Sequence, residues 1–175
     1  RVNPAPAVFD HQKLAWMNGA YLRELPVDTY AAALDAHLLD AESPLAGNAR
    51  IGELVPMVQE KLGAFGEFDA LAGSLLIDRD PDPVAWEKLQ ADENAPKVLD
   101  AAITMLGAAS IFTPEAIESA LRSICDLLGL KPKNAFTPIR IAITGSTVAP
   151  GLYESIAFLG RDESLARLQR ARAAV

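Results

Sequence analysis

Pro138-Ile-Arg-Ile-Ala-Ile-Thr-Gly-Ser-Thr-Val-Ala-Pro-Gly-Leu-Tyr-Glu154 sets one arginine among β-branched residues, then Thr144-Gly145-Ser146, then Pro150-Gly151. Three readings compete: a buried strand with a tight turn, a phosphate cradle, or a surface that reads another molecule. By propensity Ile139–Thr144 suits a strand. No other segment alternates as a partner strand would, and Thr137-Pro138 also matches a helix cap followed by a first-turn proline. The stretch therefore predicts a short buried helix that starts at Pro138. A P-loop needs several glycines ahead of Lys-Ser/Thr, and Thr144-Gly145-Ser146 is too short for one.

Helix signals dominate the rest of the 175 residues. Asp10 can cap a helix through Leu25, with Leu14, Met17, Tyr21 and Leu25 as its inward stripe and Asn18-Gly19 as a weak point. Pro26 restarts the chain, and Tyr30, Leu34 and Leu38 recur every four residues. After a loop, Ile51, Leu54, Val55, Val58, Leu62 and Phe65 form one stripe, with Pro56 as a kink or a helix start. Phe68, Leu71 and Leu75 mark a shorter helix. Asp82-Pro83, Asn94 and Thr113-Pro114-Glu115 each open another, and Gly129 closes the last of these. Two more helices end the chain, with Leu165 and Leu168 inward and Arg167, Arg170 and Arg172 mostly outward. The pattern predicts an all-α protein in two lobes, 1–80 and 81–175, joined at the acidic, proline-punctuated stretch Asp78–Asp82.

Half of the residues are apolar, which argues against disorder, and no run of about 18 apolar residues is present to span a membrane. Cys125 is the single cysteine, so no internal disulfide can form. The opening residues lack the apolar core of a signal peptide. The absence of an initiator methionine reads as a fragment or a processed form. The net charge is −7, unevenly placed: residues 1–130 carry −11 and residues 131–175 carry +4. A polyanion is repelled by most of the chain and drawn to its end.

No catalytic constellation assembles. His11 and His37 lack ligand-spaced neighbours, Cys125 lies in an apolar stripe, and Asp78, Asp80 and Asp82 read as solvated linker charge. No G-x-S-x-G elbow occurs. The residues by themselves describe a binding or structural module, either RNA-binding or a helical scaffold for protein–protein contact.

Val8–Glu24, with Phe9-Asp10, Lys13-Leu14 and Trp16-Met17-Asn18-Gly19, and Thr137–Leu168, with Pro138, Arg140, Thr144-Gly145, Pro150-Gly151-Leu152-Tyr153-Glu154 and Leu159-Gly160, resemble bacterial glutamyl-tRNA synthetase, a class I aminoacyl-tRNA synthetase. The resemblance is strong at both ends and weak over residues 27–130. It implies the all-helical C-terminal portion, two helical subdomains forming an anticodon-binding cage. The catalytic domain's His-Ile-Gly-His-like and Lys-Met-Ser-Lys-Ser-like motifs do not occur here. The resemblance therefore implies no catalytic residue, metal or cofactor in this chain; ATP and Mg²⁺ belong to the full-length, cytoplasmic, monomeric parent that joins glutamate to tRNA(Glu).

The same resemblance implies that Arg140 and Leu152 contact anticodon bases, with Gly145 and Gly151 allowing close backbone approach. An arginine can pair bidentately with a base edge or stack on it. The family often has threonine where Ala149 stands, which removes one side-chain hydrogen bond. Gln59 falls near the position that discriminates the third anticodon base, and a glutamine there implies an enzyme that also charges tRNA(Gln). From the residues alone, Arg140 could instead be a buried arginine paired with Glu154, and Gln59 an exposed helix residue.

Overall fold

The computed structural model describes residues 10–175; Val8, Phe9 and the opening segment read for a signal peptide lie outside the described residues. The chain divides into two compact units, Arg1–Phe68 and Asp69–Val175. Every regular element among the described residues is helical. The division falls earlier than the Asp78–Asp82 stretch. Residues 69–80 belong with the second unit because Arg167 Nη1 donates to Ser74 O at 2.9 Å and Arg170 pairs with Asp78 at 3.2 Å.

In the first unit, α1 (His11–Glu24) starts on Asp10, whose carboxylate accepts from the Gln12 and Lys13 N–H groups at 3.0 Å. The stripe expected to face inward does not: Leu14 is 51% exposed and Tyr21 67%, while Gly19 and Leu22 are buried. The inward side is set by backbone approach. Asn18 Nδ2 donates to Gly63 O at 2.6 Å, and a Cβ on Gly19 would lie 3.4 Å from Gly63 Cα. α2 (Val27–Asp40) buries Tyr30, Leu34 and Leu38 as its period predicts. α3 (Ile51–Val58) buries Ile51, Leu54, Val55 and Val58 and carries Pro56 inside it. It stops at Val58 instead of running on to Phe65; Leu62 is buried in the following turn and Phe65 opens a 3₁₀ turn over Phe65–Glu67.

The Tyr30 ring lies edge-on to Phe65, with centroids 5.1 Å apart, and its buried hydroxyl has no hydrogen-bond partner. Burial first, and Glu67 second, push this hydroxyl up to about 12 from 10.0. The folded state thus favours the neutral phenol. Its contribution to stability is present below about pH 10 and lost as pH rises through about 12. Tyr30→Phe removes an unpaired polar atom. Its Tm at pH 7 is expected to equal or exceed wild type, and it should lose less stability between pH 10 and 12, read by circular dichroism melts across that range.

α4 (Phe68–Leu76) spans the division. The second unit continues with α5 (Pro83–Gln90), α6 (Ala95–Ala108), α7 (Pro114–Leu128), α8 (Pro132–Thr144), α9 (Leu152–Leu159) and α10 (Arg161–Arg172). Asp82 caps α5 by accepting from Ala85 N–H at 2.7 Å, and Thr113 caps α7. Gly129 ends α7 with φ +63°. Asn94 precedes α6 but gives no side-chain cap; Asp92 Oδ1 accepts from the Asn94 N–H instead.

α8 is the opening stretch, helical as expected but begun six residues early. Pro132, not Pro138, occupies the first turn. Thr137 is not a cap: its hydroxyl donates to Lys133 O at 2.8 Å, inside the helix. Between Pro138 and Thr144 every residue except Arg140 is buried, and α5, α6, α7, α9 and α10 all pack on this helix. A helix apolar on most of its sides is the centre of its unit.

α8 ends at Gly145, with φ +69°, whose N–H donates to Ile141 O and whose carbonyl accepts from Asp82 N–H, both at 2.8 Å. A Cβ there would stand 3.0 Å from Pro81 Cα, a backbone atom that cannot step aside. Around Gly129 no atom comes within 4 Å of such a Cβ. Gly129→Ala is therefore expected to cost about 1 kcal/mol for its left-handed backbone alone. Gly145→Ala should cost about 2–4 kcal/mol, since the collision adds to the strain. Denaturant titration of the two variants side by side checks the order.

Candidate nucleic-acid interface

Arg140 leaves the buried face of α8 part-exposed, and its Nε is buried without a hydrogen-bond partner. No ion pair joins it to Glu154 among the described residues, so the reading of Arg140 as one half of a buried acid–base pair fails. One turn earlier on the same face stands Phe136. Its ring meets the Tyr153 ring edge to face, with centroids 6.0 Å apart and planes at 83°. Residues four apart on a helix are neighbours, so Phe136 lies between Arg140 on its own helix and Tyr153 on α9.

The turn from Gly145 to Gly151 is held by its own polar groups. Ser146 Oγ accepts from Val148 N–H at 3.1 Å, and Thr144 Oγ donates to Arg140 O at 2.9 Å. Gly151 precedes α9 in an extended conformation, and the atoms that a Cβ there would strike belong to the flexible Glu154 carboxylate. Ala149 is part-exposed beside buried Pro150. Leu152 is only 5% exposed and belongs to the core of the second unit. Its side chain supports the turn from beneath. The next side chain, Tyr153, is part-exposed.

Gln59, in the first unit, is 9% exposed and is not a surface helix residue. Its Nε2 donates to the carbonyls of Leu22, Arg23 and Leu25, at 2.9, 3.3 and 2.8 Å. These are carbonyls at the C-terminal end of α1, the groups that a helix cannot satisfy for itself. Both donors of the amide are therefore spent, and its Oε1 is the part left to meet a base, as an acceptor only.

In the second unit a cavity opens between Ser74, Pro81, Trp86, Thr144, Arg167 and Arg170. Arg167 was expected to face outward but is 9% exposed. Its Nη1 donates to Ile143 O and to Ser74 O, both at 2.9 Å, and its Nε to Glu163 at 2.7 Å. Five fixed donors let one arginine close two helix ends at once. Among the described residues no group of His, Cys, Asp and Glu is arranged to hold a metal ion. Cys125 is buried, and burial followed by Asp126 pushes its thiol up, away from reactive thiolate.

Residues 22–172 match the anticodon binding domain family. This chain belongs to that family. Glutamate–tRNA ligases of Acidothermus cellulolyticus and Saccharopolyspora erythraea are similar to it, at 43% and 40% identity over 99% and 97% of the chain. The chain spans about a third of the length of these curated relatives, 36% and 35%. Among solved structures, a glutamate tRNA ligase from Elizabethkingia meningosepticum has the same fold, with TM-score 0.77, 16% identity, and 98% of this chain against 34% of that one. A glutamate-tRNA synthetase from Elizabethkingia anophelis superposes with TM-score 0.76 at 16% identity, over 97% of this chain and 33% of that one.

Within this anticodon-binding domain, Arg140 and the glycine turn cluster on the second unit, whereas Gln59 is a packing residue of the first. Phe136 was not singled out in the sequence, and Tyr153 only as part of the Pro150–Glu154 motif, without a site role. The available signal was an aromatic one turn before Arg140 and another directly after the buried leucine of Gly151-Leu152. Gln59→Leu keeps the apolar contacts but takes the amide donor from the Arg23 and Leu25 carbonyls and leaves Leu22 O with only its bond from Leu25 N–H. It is expected to destabilise the fold by about 1–3 kcal/mol, measured by urea titration.

Proposed function

We propose that this chain is the tRNA-binding part of a glutamate–tRNA ligase, and that it grips the anticodon region of tRNA(Glu). The observation carrying this reading is the match of residues 22–172 to the anticodon binding domain, joined to 43% identity with a glutamate–tRNA ligase over 99% of the chain. The two units are the helical anticodon-binding subdomains of that ligase. The enzyme as a whole joins glutamate to tRNA with ATP and Mg²⁺ in the cytoplasm, as a monomer; that chemistry resides in the two-thirds of the relatives' length that this chain does not span.

The chemistry of the second unit supports the reading. Residues 131–175 carry +4 in a chain of net −7, and phosphates are drawn to that end. Arg140 brings a guanidinium with an unused buried Nε to the surface of a rigid central helix. Unpaired RNA bases are read by such planar donors, through their edges or faces. Part-exposed Gly145, Ala149 and Gly151 lie on the adjoining turn, with Gly145 packed on Pro81 and Gly151 beside the Glu154 carboxylate. Charging of tRNA(Gln) by the full-length ligase is the reading attached to Gln59, and aminoacylation assays on both tRNAs decide it.

Binding of a glutamate anticodon stem-loop should weaken steeply as salt rises, as phosphate contacts require. Arg140→Ala should cost about 1–3 kcal/mol of discrimination between anticodon variants at fixed salt, with little change in the salt slope. Unchanged discrimination together with a lowered Tm would assign Arg140 to the fold and remove it from the interface.

A further inference from the structure

Tyr153 and Phe136 stand at the edge of the core of the second unit, both part-buried and both with surface left over. Their T-shaped contact turns one ring roughly perpendicular to the other, so one ring face is not covered by its partner. Cations flank Phe136 along α8. Lys133 lies one turn before Phe136 on α8 and Arg140 one turn after it, and both lysines at the start of α8, Lys131 and Lys133, are exposed. Arg122 approaches Tyr153 from α7 while paired with Glu118 at 2.7 Å. The acids nearby are that paired Glu118 and the exposed Glu154. With Arg122 neutralised by Glu118, the exposed Lys131 and Lys133 and the part-exposed Arg140 stand against Glu154 alone.

A flat aromatic surface beside a basic helix face is matched by one chemistry above others: a nucleobase, flat and π-faced, carried on phosphates that those cations attract. A double helix hides its base faces; an unpaired loop nucleotide does not. Burial, followed by Glu118, pushes the Tyr153 hydroxyl up, so at neutral pH it is a phenol that can donate a hydrogen bond and adds no negative charge.

We infer that the Phe136–Tyr153 pair is a stacking platform for an unpaired RNA base next to the one met by Arg140. The inference rests on the anticodon-binding reading and extends it to a second nucleotide. Tyr153 is the group that meets the base, and Phe136 holds its ring at the required angle. Recognition by stacking is tolerant of base identity, so this platform adds affinity and register while Arg140 adds choice.

The test pairs protein and RNA changes, using this chain and a glutamate anticodon stem-loop in which each loop nucleotide in turn is made abasic. Tyr153→Leu is expected to weaken binding about 5- to 100-fold with an unchanged salt slope, and Tyr153→Phe to bind nearly as wild type. One abasic position should weaken wild type by a similar factor and have no further effect on Tyr153→Leu, the non-additivity that marks a direct contact. If Tyr153→Leu does not fold, Phe136→Leu takes its place in the same cycle. Full additivity at every loop position, or wild-type affinity in a folded Tyr153→Leu, overturns the platform while leaving the anticodon reading intact. Equal binding of wild type to the stem-loop and to a duplex of the same length, or no binding to either, overturns the anticodon reading and the platform with it.

Discussion

α8 is enclosed by five other helices of its unit, so the carbonyls at its C-terminal end cannot turn to water. Each described partner there is different in kind. Thr144 Oγ donates to Arg140 O, Gly145 N–H to Ile141 O, and Arg167 Nη1 to Ile143 O. The Gly145 carbonyl is met in turn by Asp82 N–H, which begins the cap of α5. The position of α5, the path of the chain through Pro81 and the seat of α10 all follow from closing this one helix end. A buried helix terminus left open would cost more than any surface contact in the unit returns.

That closure also explains where the candidate interface lies. The C-terminal half of α8 is committed to the core, with Arg140 alone turned part-outward among Pro138–Thr144. The turn after Gly145 then delivers Pro150 and Leu152 to the interior and Tyr153 to the rim. The basic groups of this region have two distinct uses. Arg167 is consumed by helix carbonyls, whereas Lys131 and Lys133 are exposed and Arg140 is part-exposed. Net charge by segment shows that the last quarter is basic, but only geometry separates the structural arginine from the others.

What could be read from the sequence was local. Asp10, Asp82, Thr113 and Gly129 cap their helices as their chemistry predicts, because a cap bonds to groups two to four residues away. The strand reading of Ile139–Thr144 fell correctly for want of a partner. The start of α8 was misplaced because Thr137-Pro138 and Lys131-Pro132 are both compatible with a first-turn proline, and only packing chooses between them. Arg167, Gln59 and the outward stripe of α1 were not legible. Their partners, at Ser74 and Ile143, at Leu22 to Leu25, and at Gly63, lie far along the chain, and periodicity names a stripe without saying what covers it. The anticodon assignment came from the resemblance of the two chain ends, and composition by itself would have left a scaffold equally open.

The two tryptophans fall one to each unit, in unlike surroundings. Trp16 is 68% exposed on α1, while Trp86 lies part-buried on α5 against the cavity walled by Pro81 and Arg170. The protein thereby carries an intrinsic optical label on each half. Emission from Trp16 is already that of a hydrated indole, so melting of the first unit barely shifts its wavelength. Loss of the Trp86 environment moves the spectrum to the red. Fluorescence thus reports chiefly on the half built around α8, whereas far-ultraviolet dichroism sums over both, and any divergence of the two signals on heating measures how independently the halves come apart.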